Sequence, residues 1–218
     1  KNNTNDLITN ISPLFRRFYN EIDNNKWIVE SNFLEIDKIF TLRKDLSLIF
    51  NKGPVTPDHV IRIKSKPLII KTEELIKIKK NSEYLSVIIR KYCDNYKKYF
   101  LKYRKEIIGS EISDPLPRII ILQGYGFLSI GRNIKEEKIA RDIFSSMKDS
   151  ILDATLVGKF KSISKKEVFK MEYWPLERAK LNNKKRKSLE GNVAVITGGG
   201  GTIGMAVAKK FIKEGLAV

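Results

Sequence analysis

The feature that most constrains the fold is a cluster of glycines near the C-terminal end of the chain. Residues 188–218 read SLEGNVAVITGGGGTIGMAVAKKFIKEGLAV. The apolar, β-branched run from Val193 to Ile196 predicts a short strand, and the apolar residues after the glycines fall mostly on one face of a helix. Those residues are Ile203, Ala206, Val207, Phe211 and Ile212. The segment therefore predicts a strand, a glycine turn and a helix in immediate succession.

The glycine spacing fits two related patterns. Gly199, Gly201 and Gly204 match G-x-G-x-x-G, and Thr197 with Gly198 extends the run to T-G-x-x-G-x-x-G. Glycine is required in such a turn because the turn is tight, the backbone approaches a pyrophosphate, and the helix packs closely on the strand. The free amides at the start of the helix then face the phosphates. A flexible glycine linker is the alternative, but linkers lack flanking elements of the correct periodicity.

The glycine segment therefore predicts the first β-α unit of a Rossmann fold, with NAD or NADP as the cofactor. The predicted cofactor-binding residues are Thr197, Gly198, Gly199, Gly201, Thr202, Ile203 and Gly204. The residue that selects between NAD and NADP is expected about 20 residues past the glycines, and Val218 comes before that point. The chain also begins with Lys1 rather than Met, so we expect a fragment of a larger enzyme.

The composition is that of a globular cytoplasmic protein. With 218 residues, 42% of them hydrophobic, the chain is long enough for one or two domains. Its single cysteine, Cys93, excludes an internal disulfide and a cysteine-rich metal site. Cys93 lies in a helical stretch between tyrosines, which favours a structural thiol over a nucleophile. No apolar run approaches the roughly 20 residues of a membrane span, and the polar start is not a signal peptide.

The net charge of +17 raises the question of nucleic-acid binding. We expect no specific nucleic-acid partner and no membrane partner, because the lysines are scattered along helical faces. The one dense basic run comprises Lys184, Lys185, Arg186 and Lys187. It falls where an interdomain linker, residues 182–190, is predicted, and a solvated linker is the favoured interpretation.

The chain before this linker predicts a mixed α/β domain. Residues 83–107 carry apolar and aromatic side chains at spacings of three and four, which predicts a long amphipathic helix. A strand is predicted from Arg118 to Leu122, a turn over 124–126, and a second strand from Phe127 to Ile130. Two capping pairs predict helix starts: Asn133 with Glu136, and Ser164 with Glu167.

Several stretches resemble known families. Residues 188–218 resemble the N-terminus of the short-chain dehydrogenases, although Thr202 stands where the most frequent pattern there has its second glycine. GPVTPDHVIRIKSKPLII, residues 53–70, and the run from DPLPRIIILQGYGFLSIGR to MEYWPLERAKL resemble the back portion of a class II aldolase domain. Taken together and in this order, these stretches cover roughly residues 45–218. They resemble a fusion family of the rhamnulose-1-phosphate aldolase/alcohol dehydrogenase type.

The resemblance implies a domain organisation and a pair of activities. Residues 1–181 would be the C-terminal part of a class II aldolase/adducin-like α/β domain, and 191–218 the start of the NAD(P)-binding domain. The parent would cleave a deoxysugar phosphate such as rhamnulose 1-phosphate by a retro-aldol reaction, and would oxidise or reduce an aldehyde or alcohol with NAD(P). A homo-oligomer acting on a small molecule is expected. The Ser, Tyr and Lys that transfer protons in short-chain dehydrogenases would lie downstream, so no catalytic residue is assigned in this chain.

The aldolase family uses a divalent metal, usually zinc, held by histidines. This chain has one histidine, His59, so the metal ligands are expected outside it. Two interpretations of His59 remain open: a substrate-side group, or a helix-start residue with Thr56 or Asp58 as the N-cap. In the segment YGFLSIG, Tyr125 stands where the aldolase pattern H-G-L-x-x-x-G has a metal histidine. This segment is either part of a second, metal-free copy of the aldolase fold with a structural role, or an ordinary turn between two strands.

Two further functions remain as alternatives. The front part could be a non-catalytic domain of a single-function short-chain dehydrogenase. The chain could also be a basic binding module that holds an acidic partner or nucleic acid.

Overall fold

The computed structural model describes residues 10–181 and 187–218. The first of these ranges folds as a mixed α/β domain, and the second carries the glycine segment. The elements, in chain order, are α1 Ile11–Asp23, β1 Ile28–Asn32, α2 Glu35–Thr41, α3 Leu46–Phe50, α4 Pro57–Ile63, β2 Leu68–Ile70, α5 Thr72–Lys80, α6 Tyr84–Tyr103, a 3-10 turn Arg104–Glu106, β3 Ile119–Leu122, β4 Gly126–Gly131, α7 Ile134–Val157, α8 Lys165–Tyr173, α9 Pro175–Ala179 and α10 Thr202–Lys213.

The strands form one four-stranded mixed sheet in the order β1-β4-β3-β2. β3 and β4 are antiparallel neighbours joined by the turn at Gly124, where φ is +83°. β2 runs parallel to β3, and β1 runs antiparallel to β4. The predicted pair of strands is thus the centre of the sheet, and the chain adds one strand to each side of it.

Helices cover both faces of the sheet. All four residues of β3 are buried, and their side chains alternate between two cores. Ile120 and Leu122 pack with α1, α5 and α6, whereas Ile119 and Ile121 pack with α2, α3 and α7. This explains the continuous apolar run in the sequence, since a strand buried on both faces has no polar side to alternate with.

The local signals in the sequence correspond closely to the helices that form. The predicted long helix is α6, which continues into the 3-10 turn at Arg104. Asn133 caps α7 by accepting a hydrogen bond from the backbone N–H of Glu136 at 2.9 Å. Ser164 caps α8 in the same way through Glu167, at 3.2 Å. Both predicted caps are confirmed.

The glycine segment forms a helix but only a trace of the predicted strand. In place of a strand from Val193 to Ile196, the structure has a single parallel bridge between Val193 and Ala217. The Ala194 N–H donates to the Ala217 carbonyl at 2.8 Å, and the Ala217 N–H donates to the Asn192 carbonyl at 2.9 Å. Among the described residues, only the segment at Ala217 pairs with Val193, so the pairing is limited to one bridge.

The residues just before this bridge contact the α/β domain. Arg16 on α1 donates to the Gly191 carbonyl at 2.6 Å, and Lys26 donates to the Asn192 side chain at 2.5 Å. Asn133 donates to the Glu190 carboxylate. A Cβ at Gly191 would lie 2.7 Å from the Lys26 carbonyl oxygen, so the backbones meet closely here. Of the predicted basic linker, residues 182–186 lie outside the described part of the chain.

Candidate functional site

The glycine loop folds into a compact turn that leads directly into α10. Gly198 has a φ of +69°, a conformation that glycine adopts without strain. The Gly199 N–H donates to the Ile196 carbonyl at 3.2 Å, and the Gly201 N–H donates to the Gly198 carbonyl at 2.9 Å. The loop is thus held by hydrogen bonds of its own backbone.

Gly204 is the position in the loop that least tolerates a side chain. A Cβ there would lie 2.4 Å from the Gly198 carbonyl oxygen and 2.7 Å from the Gly199 Cα. Real side chains do not approach backbone this closely, so the loop or the helix would have to move. These distances agree with the expectation from the sequence that a glycine is needed here for the helix to pack on the turn.

The start of α10 presents uncapped amides beside this turn. Gly201 is the N-cap residue and has no side chain to accept a hydrogen bond. The first intrahelical bond of the segment is donated by Met205 to the Gly201 carbonyl, at 2.9 Å. The amides of Thr202, Ile203 and Gly204 therefore have no acceptor within the helix. Because the helix dipole adds partial positive charge there, the loop can accept an anion such as a phosphate.

A second candidate is a buried polar cluster that no local pattern in the sequence revealed. Lys64, the C-cap of α4, donates to the Tyr96 hydroxyl at 3.3 Å. Tyr96 donates to a Glu172 carboxylate oxygen at 2.5 Å and also meets the Tyr173 hydroxyl at 2.7 Å. The second Glu172 oxygen and the Tyr99 hydroxyl are buried without a well-formed hydrogen bond. We call Lys64, Tyr96, Tyr99, Glu172 and Tyr173 the Lys64 cluster.

Burial dominates the electrostatics of the Lys64 cluster. It lowers the pKa of Lys64 from 10.5 to about 8, although the Glu172 carboxylate opposes the shift. It also raises the pKa of Glu172, which Lys64 and Tyr96 oppose. Lys64 further stands at φ +69° and ψ 164°, a strained backbone conformation for a residue with a side chain. The cluster is therefore a costly arrangement that the packing of α4, α6 and α8 maintains.

His59 lies in the first turn of α4. Thr56 is the N-cap, and the Thr56 N–H donates to His59 Nδ1 at 3.1 Å while the His59 N–H donates to the Thr56 hydroxyl at 3.4 Å. His59 is buried, and burial lowers its pKa. One ring nitrogen is thus already engaged in a capping box, which favours the helix-start interpretation.

The other residues singled out in the sequence lie on other elements than His59. Tyr125 stands in the turn between β3 and β4 and packs on the core that contains β2 and α6. Cys93 is buried on α6, and burial raises the pKa of its thiol to about 11, which keeps it protonated and unreactive. Among the residues that the structure describes, no group of three or more His, Cys, Asp or Glu side chains could hold a metal ion. None of the described helices is long and apolar enough to cross a membrane.

Comparison with known proteins defines the class of this α/β domain. Residues 7–181 match the family described as aldolase class II, second domain. The chain therefore belongs to this family. It is also 30% identical over 165 residues to a Bacillus subtilis (strain 168) protein named "Uncharacterized oxidoreductase YuxG". That match covers 75% of this chain but 24% of the relative, so the chain spans about a quarter of the relative's length.

Proposed function

We propose that these residues belong to a bifunctional enzyme that joins a class II aldolase to an NAD(P)-dependent short-chain dehydrogenase. The observation that carries the proposal is the glycine loop, in which Gly204 packs on Gly198 at the uncapped start of α10. It supports a dinucleotide-binding unit of the Rossmann type, with α10 as its first helix. The family of residues 7–181 and the name of the relative are compatible with the two activities.

The glycine loop fits the pyrophosphate of a nicotinamide cofactor. The amides of Thr202, Ile203 and Gly204 would bind the phosphates, since the helix leaves them without acceptors. Gly198 and Gly199 would let the backbone approach, and Thr197 would begin the turn. The bound cofactor would supply hydride transfer, and the loop would orient it. NAD and NADP are equally compatible with the loop.

The described residues do not fit the catalytic metal of a class II aldolase. His59 is the single histidine of the chain and its Nδ1 is engaged by Thr56. We therefore propose that this domain supports the aldolase module, and that the metal ligands are supplied by residues outside this chain. The proposed substrate is a deoxysugar phosphate such as rhamnulose 1-phosphate, whose cleavage releases an aldehyde for the dehydrogenase.

The described residues contain no group of side chains that could hold a metal ion, and this also favours a second candidate. In this alternative the α/β domain is a non-catalytic part of a single-function short-chain dehydrogenase. The two candidates differ in whether the intact enzyme cleaves a sugar phosphate at all.

The test is to assay the intact enzyme for both reactions before and after treatment with a metal chelator. The bifunctional proposal expects retro-aldol cleavage that the chelator abolishes and zinc restores, together with NAD(P)-linked turnover that the chelator leaves intact. Cofactor-linked turnover with no cleavage of any phosphorylated deoxysugar would establish the single-function alternative. The isolated 218-residue chain is expected to show no cleavage, and cleavage by it would contradict the assignment of the metal ligands elsewhere.

A further inference from the structure

The Lys64 cluster combines several destabilising features in one place. Lys64 stands at a φ of +69°, and its amine donates to the neutral hydroxyl of Tyr96 at 3.3 Å rather than to a carboxylate. Lys64, Tyr96 and Glu172 are 7%, 6% and 2% exposed. One carboxylate oxygen of Glu172 and the Tyr99 hydroxyl are buried without a well-formed hydrogen bond. Strained backbone and unsatisfied buried groups collect at functional sites, so this cluster is a candidate for one.

The hydroxyl of Tyr96 connects an amine to a carboxyl group. It accepts a hydrogen bond from the Lys64 amine at 3.3 Å and donates one to the Glu172 carboxylate at 2.5 Å. Burial raises the pKa of Tyr96, so the hydroxyl keeps its proton and can serve as both donor and acceptor. Burial also raises the pKa of Glu172, so this carboxylate takes up a proton more readily than an exposed one. A proton can therefore pass between Lys64 and Glu172 through Tyr96.

A loop segment is attached to the cluster by hydrogen bonds at one residue. Residues 107–113, which we call the lid, form neither helix nor strand, and Gly109 within them lies at a φ of +77°. The Ser113 N–H donates to the Tyr173 hydroxyl at 3.3 Å, and the Ser113 hydroxyl accepts from Arg178 at 2.5 Å. Both hydrogen bonds can break without the loss of a helix or a strand. The lid can therefore open at lower cost than the elements around it.

The groups of the cluster suit the reaction of an amine with a carbonyl compound. A neutral lysine amine is a nucleophile that adds to the carbon of an aldehyde or ketone. Burial lowers the pKa of Lys64 to about 8, so about a quarter of the amine is neutral at pH 7.5, against roughly 0.1% for an ordinary lysine. Arg118 and Arg178 lower this pKa further, whereas Glu172 and Asp114 oppose the shift. A site for a small anion would instead need a cation that keeps its charge.

We propose that the Lys64 cluster binds a small aldehyde or ketone, which Lys64 holds as a reversible imine beneath the lid. The neutral amine attacks the carbonyl carbon and forms the C–N bond. The C–O bond then breaks, and the oxygen leaves as water with the two protons that the nitrogen gives up, so no oxidant or reductant is needed. Tyr96 and Glu172 carry these protons from the nitrogen to the oxygen.

The packing around the cluster limits the size of the ligand. On α8 the rings of Phe169 and Tyr173 stack at 4.5 Å, and the Tyr99 ring meets Phe169 edge-on at 5.6 Å. Because these rings are closely packed, the ligand would occupy space that the lid vacates when it opens. We therefore expect a short carbonyl compound.

The test is reductive trapping of the imine in the intact enzyme, with glycolaldehyde as the probe and no nicotinamide cofactor present. Sodium cyanoborohydride reduces an imine to a stable secondary amine, and peptide mass spectrometry then measures the modification of each lysine. At pH 7.5 we expect Lys64 to be modified at least tenfold faster than Lys98, an exposed lysine on α6. Access to solvent alone would give the reverse order, because Lys64 is the buried one.

Variants test the proton path and the lid separately. Tyr96→Phe keeps the ring but removes the hydroxyl, and it should slow the modification of Lys64 at least tenfold. Ser113→Ala removes the acceptor for Arg178, so the lid should open more readily and the modification of Lys64 should be about threefold faster or more. Tyr84→Phe is the matched control, because Tyr84 lies on the same helix as Tyr96 but outside the cluster. It should leave the rate at Lys64 unchanged.

Modification of Lys64 no faster than that of Lys98 would overturn the proposal, and this comparison needs only the wild type. Equal rates in wild type and Tyr96→Phe would remove the proton path, and a rate that Ser113→Ala leaves unchanged would remove the lid. Binding of inorganic phosphate at the cluster without trapping of the aldehyde would replace the carbonyl site by an anion site. None of these measurements reads sugar-phosphate cleavage or cofactor turnover, so the imine site and the proposed function can fail separately.

Discussion

Two residues, Gly204 and Lys64, are constrained by their surroundings in ways that substitution can test. At Gly204 the constraint is space: a Cβ would lie 2.4 Å from the Gly198 carbonyl oxygen. At Lys64 the constraint is a strained φ of +69° combined with the burial of an amine. The first residue belongs to the proposed cofactor loop, and the second to a cluster outside it.

In the intact enzyme, Gly204→Val should raise the Michaelis constant for the nicotinamide cofactor at least tenfold. The valine would push α10 away from the turn and move the amides that are proposed to bind the phosphates. A tenfold change corresponds to about 1.4 kcal/mol if the Michaelis constant follows affinity. Steady-state kinetics with varied cofactor provide the measurement, and aldol cleavage should survive.

Gly158→Ala is the matched control, since an added Cβ there meets nothing within 4 Å. It should change neither activity. Unchanged cofactor dependence in Gly204→Val would remove the Rossmann assignment, and loss of both activities in a folded protein would argue against independent sites.

Lys64 should make the protein more stable as the pH rises from about 7.5 to 9.5. Its pKa in the folded state is about 8, below the 10.5 of an exposed lysine. Between these values the unfolded chain binds more protons, so raising the pH favours the folded state, by about 2 kcal/mol over this range. Burial also raises the pKa of Cys93, Tyr96 and Tyr99, and their titration in the unfolded chain works in the opposite direction, so the contribution of Lys64 is measured as the difference from a variant that lacks it.

The measurement is the urea midpoint at several pH values, in wild type and in Lys64→Met. The methionine keeps the length of the side chain but cannot titrate, so the rise should disappear. Glu172, Asp114, Arg118 and Arg178 act on Lys64 electrostatically and are present in both proteins, although the loss of Lys64 raises the pKa of Glu172 further. An identical rise in Lys64→Met would show that another group is responsible.

At the scale of elements, the ion pair between Asp37 and Lys148 fixes α2 on α7. Lys148→Met should lower the free energy of unfolding by about 3–5 kcal/mol, because it leaves the Asp37 carboxylate buried and unpaired. The double variant Asp37→Leu with Lys148→Met should recover most of this loss, since both charges are removed together. Chemical denaturation of the three proteins measures the difference.

An exposed ion pair serves as the comparison for the Asp37 and Lys148 variants. Lys170 and Glu167 on α8 lie 3.0 Å apart, but both side chains are partly exposed to solvent. Lys170→Met should therefore cost no more than about 1 kcal/mol. A comparable loss in both lysine variants would mean that burial is not what makes the α2–α7 pair matter.

Elements whose signals are local could be predicted from the sequence, and those that depend on distant partners could not. Asn133 and Ser164 each cap a helix through a residue three positions later, so the pattern is visible in the sequence. The glycine loop is equally local. By contrast, Asp37 is buried only because Lys148 lies 111 residues further along the chain. The Lys64 cluster joins residues that are 32 and 76 positions apart, and no short pattern could bring them together.

For the whole molecule, the charge of +17 should produce only weak, sequence-indifferent binding to nucleic acids. Exposed lysines are spread over separate elements, with Lys98 on α6, Lys138 on α7 and Lys209 on α10. Binding through dispersed charges depends on counterion release, so affinity should fall at least tenfold between roughly 50 and 200 mM salt. Fluorescence anisotropy with two oligonucleotides of unrelated sequence provides the measurement. Nanomolar, sequence-selective binding at physiological salt would instead support the basic binding module.

The contacts of Glu190, Gly191 and Asn192 with the α/β domain bear on how the glycine loop moves. These residues stand directly before the Val193 bridge, and Arg16, Lys26 and Asn133 hold them from three different parts of the domain. A loop attached in this way turns together with the aldolase-family domain. In the proposed bifunctional enzyme, the cofactor loop would therefore not be a swinging arm relative to this domain.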